Sequence, residues 1–143
     1  MENLEDKTKE EILKLRDEGM SCSQATLIGI CRAAGLKADE HWLSAIAAGF
    51  RGGIGGTHDE GTCGALSGAV LAMGLLSEGD GNLAAKQSRQ LYKAFKQQQG
   101  AVACKMILGK NGAKNCTGCC LCAGTEAAKL IKKIEEGKAR QAG

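Results

Sequence analysis

The sequence predicts an all-α fold, a compact multi-helix bundle, and three observations carry that expectation. No stretch alternates apolar and polar residues as a half-buried strand would, there is no proline, and apolar residues recur at helical spacing along most of the chain. A glycine-rich loop ahead of a small-faced central helix completes the pattern. At 143 residues the chain fits one domain, 1–143, able to bury a core without staples. Aromatics are limited to Trp42, Phe50, Tyr92 and Phe95, so that core is built from Leu, Ile, Ala and Met.

Residues 3–18 place Leu4, Ile12 and Leu15 on one stripe among charged neighbours, the pattern of an amphipathic surface helix that Gly19 ends. Ser21 with Gln24 three residues on forms a capping box, which starts a second helix running to about Ala34 and puts Cys22 in its first turn. Both faces of that helix are apolar or small, and Cys31 reads as a buried small hydrophobe. Asp39 and Glu40 open a third helix, with Trp42, Ile46 and Gly49 on one side and Leu43 and Phe50 on another. It leads into a loop in which six glycines occupy the thirteen positions 49–61, giving the backbone access to positive φ and to close approach.

From Cys63 the pattern turns helical again. Gly64, Gly68 and Ala72 fall at spacing four, a face small enough for a neighbouring backbone to pack against. Cys63 is expected in the first turn, where unpaired N–H groups and the positive end of the dipole favour a thiolate. Residues 77–82 read as a polar turn, 83–99 as a helix with Leu91 and Phe95 inward, and 101–108 as a short apolar helix carrying Cys104, with Lys105 beside it. Residues 109–115 read as a turn. Four of the eight cysteines then fall within seven residues, Cys116, Cys119, Cys120 and Cys122, ahead of a helix from Glu126 to Gly137 whose inner stripe is Ala127, Ile131 and Ile134. Extending that helix backward at about 100° per residue puts Cys120 and Cys116 within about 20° of Ala127, Cys119 near the edge and Cys122 almost opposite, so Cys120 is aimed at the core.

Composition narrows the function. No apolar run approaches the roughly 20 residues of a membrane span, and the polar, acidic N-terminal stretch does not read as a signal peptide, so a cytoplasmic protein is expected. Eight cysteines in a reducing compartment point to metal or redox chemistry rather than to disulfides. Residues 1–20 carry seven acids and four bases, whereas 83–143 carry three acids and twelve bases. That basic half suits an acidic redox partner protein or an anionic site; with so few aromatics to stack bases, nucleic acid is the least favoured partner. A homodimer is left open. The glycine loop lacks the Gly-Lys-Ser/Thr of a phosphate loop and the order of a dinucleotide fingerprint, which argues against nucleotide binding.

The cysteine spacing matches no local template: neither ferredoxin pattern occurs, a thioredoxin-like pair would need a βαβ context around Cys116 and Cys119, and paired zinc knuckles are missing. A site assembled across the fold remains, from Cys22, Cys63, Cys104 and one of the C-terminal group. In order and context these residues resemble the redox-active C-GCAxxG-C-C family of small helical proteins, through Cys22 in SCSQATL, GTCGALSG around Cys63, Cys104 in ACKMILG and Cys120 ahead of EAAKLI. The chain departs from the family pattern in reading Thr62-Cys63-Gly64-Ala65 for Gly-Cys-Ala and in offering four candidates for the last cysteine. The resemblance implies redox activity, and a further likeness to the N-terminal part of split-Soret cytochromes implies an iron–sulfur centre.

The expectation is therefore a [2Fe–2S]-type electron-transfer site on Cys22, Cys63, Cys104 and Cys120, with Cys116 and Cys119 as alternates. A thiolate-bound cluster is anionic, and helix N-termini, loop N–H groups and Lys105 would stabilise it. Two other readings stand beside it: a thiol–disulfide oxidoreductase with Cys63 attacking and a C-terminal cysteine resolving, and a structural zinc module. His58 reads as a solvated loop residue that could alternatively serve the site as a ligand or hydrogen-bond donor, and Asp59 and Glu60 as loop solvation.

Overall fold

The computed structural model describes residues 3–111 and 116–142, with side chains at 3–107 and 116–138. The fold is all-α. Seven helices follow one another in the described residues: α1 (Leu4–Asp17), α2 (Cys22–Ala33), α3 (Glu40–Ala48), α4 (Gly64–Leu76), α5 (Gly81–Gln99), α6 (Cys104–Asn111) and α7 (Cys116–Ala142). Among the described residues no strand forms, and no helix is long and apolar enough to cross a membrane.

Helix α2 lies at the centre, because a helix apolar on every side must be surrounded to be stable. It packs on α1, α4, α7 and α3, and Leu27, Ile28 and Ile30 are fully buried. Its start is set by the capping box: Ser21 accepts from Gln24 N–H, and the Gln24 side chain accepts from Ser21 N–H. The long α7 lies against α1, α2, α4 and α5, with Cys120, Ala123 and Ala127 fully buried and Ile131 nearly so. On α3, Leu43 and Ala47 turn inward, while the side bearing Trp42 and Ile46 faces solvent.

Glycines set how closely the helices approach. A Cβ added to Gly68 would sit 2.5 Å from the Ser23 carbonyl oxygen, and one on Gly64 would sit 2.5 Å from Cys22 Sγ and 2.8 Å from the Phe50 carbonyl oxygen. The small face of α4 therefore brings its backbone against the first turn of α2, as the spacing of four predicted. Gly29 of α2 performs the same service for α1, where its Cβ would fall 2.6 Å from Ile12 Cγ1.

Several boundaries differ from those expected. Asp80 caps α5 by accepting from Leu83 N–H, so that helix begins at Gly81 rather than at Leu83. Residues 101–103 are not helical: Thr62 and Ala103 form an isolated antiparallel bridge, with Cys63 N–H bonded to the Val102 carbonyl at 2.7 Å and Cys104 N–H to the Gly61 carbonyl at 2.8 Å. Their backbone groups are taken by the loop, so α6 starts at Cys104 and runs to Asn111. Of the turn expected over 109–115, residues 109–111 are helical and 112–115 lie outside the described residues.

Candidate thiol centre

Five cysteines from four places in the chain line one cavity of about 280 Å³: Cys22, Cys63, Cys104, Cys116 and Cys119. Local structure explains each placement. Cys22 is the first residue of α2, behind the capping box, and faces Gly64 of α4 across a gap that admits no side chain there. Cys63 precedes α4 as its N-cap residue rather than standing inside the first turn. Cys104 is the first residue of α6, and the bridge between 61–63 and 102–104 ties it beside Cys63. Cys116 and Cys119 occupy the first turn of α7, one helical step apart.

The glycine-rich loop closes this end of the molecule. Gly52, Gly53, Gly55 and Gly56 all have positive φ, and Gly53 passes close enough that a Cβ there would lie 3.5 Å from Cys104 Cβ. His58, also at positive φ, is tethered through its N–H to the Gly52 carbonyl at 2.8 Å. Its Nδ1 lies 3.4 Å from Cys104 Sγ, and the ring lines the cavity, so this exposed loop residue is nonetheless part of the site. Asp59, Glu60 and Lys105 are exposed and are not among the lining residues. The cations on the wall are Arg16 and Arg51, which sequence reasoning missed. Their only sequence signal was position: Arg16 in the last turn before the Cys22 cap, and Arg51 inside the glycine run.

The thiols differ in acidity because their surroundings differ. At Cys63 the nearby Cys119 thiol and the Ala65 and Leu66 amides favour the thiolate enough to outweigh burial and bring the thiol down to about 7. Cys119 moves the other way, held protonated by Cys63 beside it and by burial, with Gln99 Oε1 also within 3.7 Å of its sulfur. Burial pushes Cys104 up to about 11, and charge on Cys63, Cys116 and Cys22 pushes in the same direction. Cys116 is raised by burial and by Cys22, against the pull of the Arg16 guanidinium.

Cys120 is not among the cavity-lining residues. It is fully buried one position past Cys119, its thiol donates to the Cys22 carbonyl at 3.7 Å, and burial pushes it up to about 12. Cys122 is half-buried with Gln98 Oε1 3.3 Å away. Cys31 is buried among aliphatics, which raise it to about 11.

The donor set is soft sulfur with one imidazole, His58, and includes no described carboxylate, which suits a thiophilic metal or an iron–sulfur core rather than a hard cation. Among the described residues, no three His, Cys, Asp or Glu side chains converge on a point where they could hold one ion.

An all-helical chain that gathers thiols from scattered helix starts around one cavity belongs to the class of small cysteine-based redox proteins. The matching family model gives that class its particular form. The chain belongs to the family described as "Putative redox-active protein (C_GCAxxG_C_C)", whose model matches residues 20–134. No protein of curated function and no solved structure matches the chain.

Proposed function

We propose that this chain is an electron-transfer protein whose cavity holds an iron–sulfur centre of the [2Fe–2S] type. The observation that supports it is the convergence of five cysteines, from α2, the α4 cap, α6 and α7, on one cavity of about 280 Å³. Cys22, Cys63 and Cys104 are the first three ligands in this reading. Cys119 is preferred as the fourth because it lines the cavity and meets Cys63, whereas the Cys120 thiol is directed at the Cys22 carbonyl. Cys116 and Cys120 are the alternates. When bound, such a cluster supplies one-electron transfer.

The chain's own groups would serve that centre in definite ways. The amides of Ala65 and Leu66 favour the Cys63 thiolate. Arg16, held by the Met20 carbonyl and the Thr117 hydroxyl, places fixed positive charge beside an anionic core. The short bridge between the glycine loop and the start of α6 keeps Cys63 and Cys104 in register. An acidic redox protein is the partner this reading favours, since Lys86, Arg89, Lys93 and Lys96 follow one exposed stripe of α5, a helix with no acidic residue. The reducing cytoplasm is the compartment that suits eight free thiols.

Thiol–disulfide exchange is the second reading, favoured by Cys63 and Cys119 lining the same cavity, where the Cys119 thiol helps to lower the Cys63 thiol. Cys63 thiolate would attack a substrate disulfide and release one thiolate. Cys119 would then displace the second substrate thiolate from Cys63, leaving a Cys63–Cys119 disulfide and a substrate reduced by two electrons. Purification without oxygen, followed by iron and acid-labile sulfide analysis, tests the two. Coloured protein containing both elements, lost in Cys63→Ser, is expected. Colourless, metal-free protein that forms the Cys63–Cys119 disulfide would replace the cluster with exchange chemistry, and stoichiometric zinc would make the chain a structural module.

A further inference from the structure

Two guanidinium groups reach the cavity that holds the thiols, and they differ in how they are held. Arg16 is half-buried and committed: its Nη1 donates to the Met20 carbonyl at 2.9 Å and its Nε to the Thr117 hydroxyl at 3.3 Å, which joins the end of α1 to the start of α7. Arg51 is exposed on the glycine-rich loop, and no described carboxylate forms an ion pair with it. Chain-wide there are 16 acidic residues, yet no described Asp or Glu lines the cavity. The nearest loop acids, Asp59 and Glu60, are exposed and absent from the wall.

A fixed counter-charge for a buried centre needs the first kind of arginine. The second kind, at the rim, free of partners among the described residues and able to turn its fork outward, suits capture of a reactant. We propose that the mouth of the thiol cavity selects small anionic reactants, carboxylates or oxyanions, with Arg51 as the receiving group and Arg16 as fixed positive charge behind it. The proposal rests on reading this cavity as the redox centre and adds the class of molecule admitted to it. The cavity totals only about 280 Å³ and the thiol centre claims part of it, so the reactant is small. No described carboxylate lines the wall, and its two guanidinium groups outweigh the single Cys63 thiolate of the metal-free chain, which raises the local concentration of anions.

Paired alkylating reagents of similar size test this, iodoacetate as the anion and iodoacetamide as the neutral control. In the protein as isolated the rate is read as metal released; in the reduced, metal-free chain, checked for helicity by circular dichroism, it is read as alkylated Cys63 by mass spectrometry. The ratio of the iodoacetate rate to the iodoacetamide rate is expected to exceed that of an unstructured cysteine peptide by roughly tenfold, the low end of electrostatic steering. Arg51→Gln should return it toward the peptide's value, Arg51→Lys should retain it, and Lys37→Gln, at an exposed position away from the cavity, should leave it unchanged. Sulfate and acetate, added at equal ionic strength to a chloride control, should slow iodoacetate alone, and the stronger competitor distinguishes a tetrahedral oxyanion from a carboxylate. A ratio equal to the peptide's, or one untouched by Arg51→Gln, overturns the proposal. Iron-loaded protein with the peptide's ratio would refute anion selection and leave the cluster, whereas iron-free protein with the high ratio would refute the cluster and leave anion selection.

Discussion

Cys63 is where the local chemistry is most sharply defined. Its thiol is brought down to about 7 by the Cys119 thiol and the Ala65 and Leu66 amides, while the neighbouring cysteines are held protonated. In the reduced, metal-free chain, alkylation of Cys63 should follow a midpoint near pH 7, and Cys119→Ala should move that midpoint upward. The same shift couples to folding. A thiol at about 7 when folded and 9.0 when unfolded adds stability that is full above pH 9 and lost as pH falls through 7. Denaturant unfolding of the reduced chain should therefore show the parent gaining roughly 1–3 kcal/mol relative to Cys63→Ser between pH 7 and pH 9, the raised thiols contributing equally to both. Cys63→Ser should abolish that contribution.

Contacts between elements place the sulfurs. Gly64 and Gly68 let α4 approach the first turn of α2, and a methyl group at either would collide with Cys22 Sγ or with the Ser23 carbonyl. Gly68→Ala should cost about 1–3 kcal/mol by overpacking, read as a lower denaturation midpoint, and should lower metal content as Cys22 is pushed from the cavity. Gly74, where an added Cβ would meet nothing within 4 Å, is the control, and Gly74→Ala should keep both. Removing the α2 cap tests a different connection. Ser21→Ala should cost about 1 kcal/mol and loosen the turn that carries Cys22.

For the whole molecule, the thiol cavity is closed by segments distant in sequence, from Cys22 to Cys119, so the centre and the tertiary fold should be gained together. Metal bound to the folded chain alone stabilises it by mass action. If the proposed centre is present, thermal unfolding under anaerobic conditions should thus move to lower temperature on removal of iron, and more so than in Cys63→Ser, which lacks one of the proposed ligands. Far from that end, Arg32 of α2 clamps α1 and α3, with 2.7 Å bonds to both Glu40 oxygens and one of 3.2 Å to Glu11. Arg32→Ala should lower stability by about 1–2 kcal/mol while leaving metal content intact, because none of its partners lines the cavity.

Helix identity, the Ser21 capping box, the burial of Cys31 and the close-packing face of α4 were all legible in the sequence, because each depends on residues within a turn or two of one another. The burial of Cys120 was legible too, since helical periodicity alone carries it from Ala127. What periodicity could not show is where the cavity lies on α7: the space among α2, α4 and α6 meets Cys116 and Cys119, while Cys120 turns toward the α2 backbone. Nor could local pattern reveal that Thr62 and Ala103 pair, that His58 folds back onto Cys104, or that Arg16 and Arg51 share the wall. These are contacts between segments tens of residues apart, decided when glycines let the helices close. The sequence by itself thus determined the helices and the cysteine inventory; only the tertiary structure decided which sulfurs and which charges face one another, because that depends on packing between elements rather than on spacing within them.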